Sequence, residues 1–139
     1  HIDDHNFKLI VESNGQLHEY DLLVRSCMII KKKLEDIQSK INSSFDRNEY
    51  KEDDYIKIIL TNEDHTMGIL INEGLQDNSN IDFCGLSKPD LLIKEMELKI
   101  VTSNKDPMKP FNNTIENYIN IFDDIESQLR KLGNKYITL

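Results

Sequence analysis

His65 stands among Glu63, Asp64 and Thr66. An acid beside an imidazole can polarise it, and a helix N-terminus lowers its pKa, which is the setting of a general base. That chemistry needs a nucleophile or a metal within reach, and the sequence carries no G-x-S-x-G or H-E-x-x-H pattern to supply one. Acidic and hydroxyl residues at a helix start ordinarily cap it, so no catalytic residue is expected. Cys27 and Cys84 lie 57 positions apart with no Cys or His partner at metal-ligand spacing. They imply neither a zinc site nor a disulfide framework, and read as small hydrophobes in an intracellular, reducing compartment. No metal and no cofactor is expected. Asn14-Gly15 and Gly133 read as a turn and a helix stop, since no Gly-rich repeat or Lys-Ser pair makes them a phosphate cradle. Lys31, Lys32 and Lys33 form a short basic cluster that reads as a solvated helix face, with DNA or an acidic partner surface as the alternative.

The chain has 139 residues, enough for one compact domain or two small halves sharing a core. Seventeen Lys and Arg against 25 Asp and Glu give a net charge of −8, a sign that repels phosphate backbones, so no direct specific nucleic-acid binding is expected. No apolar run approaches the roughly 18 to 20 residues of a bilayer span, and no secretory signal is visible. The absence of alanine beside 19 isoleucines points to an AT-rich coding sequence.

The elements that would position these residues follow from periodicity. Phe7, Leu9 and Val11 alternate with Lys8 and Ile10, which predicts a half-buried strand. From Glu19 to about Asn42 neither Gly nor Pro occurs, and Leu23, Cys27, Ile30, Leu34, Ile37 and Ile41 step by four and three, a heptad seam on a helix about 36 Å long. Residues 43–54 read as a polar linker. Tyr55–Leu60 is predicted as a strand, followed by a helix capped within Asn62–Thr66 and carrying Met67, Leu70, Ile71 and Leu75. Short and long strands are predicted over Ile81–Cys84 and about Leu92–Thr102. A last helix from about Pro110 to Leu132 carries a second seam of Phe111, Ile115, Tyr118, Phe122, Ile125, Leu129 and Leu132. Narrow seams of this kind favour helix-on-helix pairing, because packing on a sheet wants a wider stripe. The expected fold is α/β in the broad sense, specifically α+β: an antiparallel sheet packed with helices, two of them long and paired.

One segment carries a family signature. Asn62, Glu63, Asp64, His65, Thr66, Met67 and Gly68 resemble the "NEDHTLGN" motif of the small assembly subunits of multisubunit RNA polymerases, the archaeal L-type protein and its eukaryotic counterparts. Phe83, Cys84 and Gly85 with Pro89 look like that family's "FAGY…PHP" segment, and Leu98, Ile100 and Thr102 fall where its last strand ends in "I.T". Phe7, Val11, Glu12, Ser13, Asn14, Gly15 and Leu17, followed by the first heptad helix, are similar to the closing strand and helix of the larger partner, the archaeal D-type protein. Departures are Ile69 in place of the usual Asn, Asn72 or Glu73 in place of a basic residue, and Asp90 in place of the His of "PHP".

The resemblance implies residues 1–42 as the end of a D-like half, a linker over 43–54, and an L-like dimerisation domain over 55–139. It further implies the C-terminal portion of a longer, fused D-L polypeptide like those of large cytoplasmic DNA viruses (asfarvirus-like), placed in the host cytoplasm and virion if viral, or the nucleus if cellular. The implied function is a non-catalytic scaffold of a DNA-directed RNA polymerase. Its implied partners are the largest and second-largest subunits and other small subunits, with no membrane. In this reading Glu63, Asp64, His65, Thr66, Gly68, Phe83, Gly85 and Pro89 are structural or interface residues. A coiled-coil adaptor for an unrelated partner is the alternative.

Overall fold

The computed structural model describes residues 5–46, 55–61, 65–88, 90–103 and 106–138. Six elements follow in order: α1 (Glu19–Ser44), β1 (Ile56–Thr61), α2 (His65–Gln76), β2 (Phe83–Ser87), β3 (Glu95–Val101) and α3 (Met108–Leu132). The chain divides into two compact units, one of residues 1–32 with 121–139 and the other of residues 33–120. Both long helices contribute residues to each unit. No helix among the described residues is long and apolar enough to cross a membrane.

The unit of residues 33–120 holds the sheet, with strand order β1-β3-β2 and both pairings antiparallel. Alternation decides its two faces. Ile56, Ile58 and Leu60 of β1 align with Ile100, Leu98 and Met96 of β3, and Cys84 of β2 aligns with Ile100. All of these are buried, as are Met67, Ile71 and Leu75 of α2, Met108, Phe111 and Ile115 of α3, and Leu34 and Ile37 of α1. Their periods of two on the strands and three to four on the helices present one apolar side from each element, the arrangement an α+β core requires. Gly68 lets α2 approach the sheet, because a Cβ there would sit 2.9 Å from the Met96 sulfur and 3.2 Å from Leu86 Cδ2. At Gly74 a side chain would collide with the Tyr118 ring, so α2 also lies against α3 through a glycine.

Helix ends follow local chemistry. Asp106 Oδ1 accepts the Met108 N–H at 3.2 Å and caps α3, and Pro110 sits in its first turn. Arg130 and Lys131 close α3 where the helix dipole favours cations. Glu19 and Asp21 open α1 in the complementary sense.

Three predicted strands need correction. β2 begins at Phe83, two residues later than Ile81, because Asp82 is the residue whose N–H reaches Val101 O at 2.9 Å and its successors take up the ladder. β3 begins at Glu95, since Asp90 Oδ1 accepts the Leu92 N–H at 2.9 Å in a side-chain turn and leaves Leu91, Leu92 and Ile93 exposed. The predicted strand Phe7–Val11 does not form: the segment is irregular and exposed, with Phe7 at 83% and Leu9 at 85%. Alternation supplies the faces of a strand but not the neighbouring ladder, and no described strand lies beside it. The linker predicted over 43–54 lies largely outside the described residues, except that α1 extends to Ser44.

Leu98 lies fully buried in the middle strand, aligned with Ile58 on one side and Leu86 on the other. Leu98→Ala is expected to cost about 2–5 kcal/mol, read as a lowered urea midpoint with an unchanged slope.

Candidate functional site

The functional surface indicated by the sequence is the pairing of α1 with α3, and each unit contains its own stretch of it. In the unit of residues 33–120, Leu34, Ile37, Phe111 and Ile115 are buried, and Ile41 and Tyr118 are half-buried. Beside them Asn42 Nδ2 donates to Asn112 Oδ1 at 2.7 Å, while Asn112 Nδ2 donates back to Asn42 Oδ1 at 2.9 Å. Gln38 Nε2 donates to Asn112 Oδ1 at 3.3 Å and to Glu116 Oε1 at 3.4 Å. As residue number falls from 42 to 38 on α1 it rises from 112 to 116 on α3, so the helices run antiparallel. The apolar seam holds them together, and the amides fix which turn faces which, since each net hydrogen bond adds about 0.5–1.5 kcal/mol only in one register.

In the unit of residues 1–32 and 121–139, Val24 and Cys27 are buried, with Leu23, Ile30, Phe122 and Leu129 half-buried. Lys31 Nζ reaches both Asp123 Oδ1 and Glu126 Oε1, the latter at 3.0 Å, and Arg130 Nε holds Glu126 Oε2 at 3.0 Å. The Lys31 and Glu126 side chains are only 17% and 14% exposed, so this pair is shielded from water and weakly screened. The Asp123 hydrogen bond, opposed by burial and helped by Glu126, raises the Lys31 pKa. Burial works against the Glu126 charge, yet hydrogen bonds from Lys31 and Arg130 outweigh it and hold the carboxyl below its ordinary value.

Two residues of the expected second seam are misplaced. Ile125 is 41% and Leu132 70% exposed, while Glu126 and Gly133 take the inward positions. The reason is the 3.6-residue helical period, which drifts against a 3.5-residue repeat, combined with the Lys31 ion pair that draws Glu126 inward. Gly133 is buried because Tyr20 lies where its Cβ would be. Beyond it Tyr136 stacks on His18 at 3.9 Å between ring centroids, and Thr138 Oγ1 donates to Asp21 Oδ2 at 3.1 Å. Arg25 Nε, 3.1 Å from Asp21 Oδ1, completes the partners of that buried carboxylate.

The motif residues divide. Glu63, Asp64 and Pro89 lie outside the described residues, and His65 opens α2. Thr66 is exposed in the first turn of α2, and Gly68 makes the close approach already noted. Phe83 is 55% exposed on the outer sheet face, its ring over Gly85, where a Cβ would sit 3.0 Å from it. Among the described residues no group of three His, Cys, Asp or Glu could hold a metal ion. Sequence reasoning missed the amide set Gln38, Asn42 and Asn112 and the Lys31–Glu126–Arg130 network. Their signal was present as polar residues at i, i+4 flanking each seam.

The comparisons agree with this geometry. The sequence model of the RNA polymerase Rpb3/Rpb11 dimerisation domain matches residues 55–128, which span β1 to most of α3. The chain belongs to that family. A curated relative from Acanthamoeba polyphaga mimivirus, provisionally named as a DNA directed RNA polymerase subunit, is 31% identical over 125 residues. That match covers 84% of this chain and 33% of the relative, so the chain spans about a third of the relative's length.

Two outcomes follow. The Lys31–Glu126 contribution to stability is complete above the ordinary carboxylate range and is lost as pH falls through the lowered Glu126 pKa. At the alkaline end it is complete below the ordinary lysine value and is lost as pH rises through the raised Lys31 pKa. Denaturant midpoints against pH should show both limbs, and Glu126→Gln should flatten the acid one. Burial lifts the Cys84 thiol to about 11 and raises that of Cys27, so both should resist a thiol-specific chromophoric disulfide in the native protein and react together on unfolding.

Proposed function

We propose that this chain is a non-catalytic assembly subunit of a DNA-directed RNA polymerase, in which α1 and α3 make the dimerisation element. Residues 1–42 serve as the D-like half through α1, and residues 55–139 as the L-like half. On this reading the paired halves are a platform for the two largest polymerase subunits. Nucleotidyl transfer belongs to those subunits, and no residue here takes part in it. The seam residues Leu23, Cys27, Ile30, Leu34, Ile37 and Ile41 on α1 and Phe111, Ile115, Tyr118, Phe122 and Leu129 on α3 form the interface, with the exposed motif residue Thr66 facing polymerase partners and Gly68 seating α2 on the sheet.

The observation that carries the reading is the antiparallel α1–α3 register set by Asn42 and Asn112, the second of which lies in the stretch that the dimerisation family matches. Two separate chains normally provide such a pair in the family that the motifs resemble, and here one chain provides both helices. The mimivirus relative supports the transcriptional setting.

A charge placed in a desolvated helix seam costs several kcal/mol. Leu34→Asp or Phe122→Asp is therefore expected to remove the chain from the polymerase complex, read by mass-spectrometric composition after affinity purification. Thr66→Lys leaves both seams intact and is expected to lose the large subunits while the chain itself stays folded. Wild-type recovery of the large subunits with all three variants would refute the seam and the motif surface as the platform, and their absence from the purified wild-type complex would favour the unrelated adaptor.

A further inference from the structure

We draw no further inference here: the strongest candidate, the groove of about 410 Å³ beside the β1 edge with Ile41, Phe45, Ile58 and Met108 among its walls, carries none because its rim residue Lys57 already holds Glu97 and nothing in the structure shows what covers it.

Discussion

The structure depends on two long helices lying antiparallel within one chain. Their seams are apolar enough to demand burial, but apolar contact alone is indifferent to a slide of one turn. The Asn42–Asn112 amide exchange and the Lys31–Glu126 ion pair remove that indifference in their respective units. The Lys31 and Glu126 charges are costly when left unpartnered in their shielded place, so a shifted register loses more than it regains there, while the exposed amides add directional bonds that one register alone makes.

Once α3 is fixed, the rest of the unit of residues 33–120 has little freedom. Gly74 seats α2 against Tyr118 and Thr114, Gly68 seats it against Met96 and Leu86, and the inward faces of β1 and β3 close the core. Asn78 Nδ2 donates to Pro110 O and Thr114 Oγ1, fastening the end of α2 to the start of α3. The family motif thus includes, at Gly68, a close approach of α2 to the sheet: Met67 is buried beside it, and a Cβ there would press on the ends of the Met96 and Leu86 side chains, which would have to shift.

Much of this was legible in the sequence, because long periodic segments announce themselves. The heptads of α1 and α3 gave those helices to within about two residues, and alternation at Ile56, Ile58 and Leu60 gave the face of β1. What escaped was whatever depends on a neighbour. Phe7–Val11 alternates as a strand should, yet a ladder needs a second chain segment that periodicity cannot supply. The inward turn of Glu126 in place of Ile125 required knowing that Lys31 would stand opposite. The start of β2 turned on one hydrogen bond from Asp82 to Val101.

Carrying both helices on a single polypeptide changes the kinetics of pairing as well as its geometry. Two separate subunits must find each other by diffusion, and their complex thins out on dilution. A tethered pair meets at an effective concentration set by the intervening chain, commonly millimolar for short flexible tethers, and its ratio is locked at one to one. Pairing of two helices on one chain is therefore insensitive to dilution.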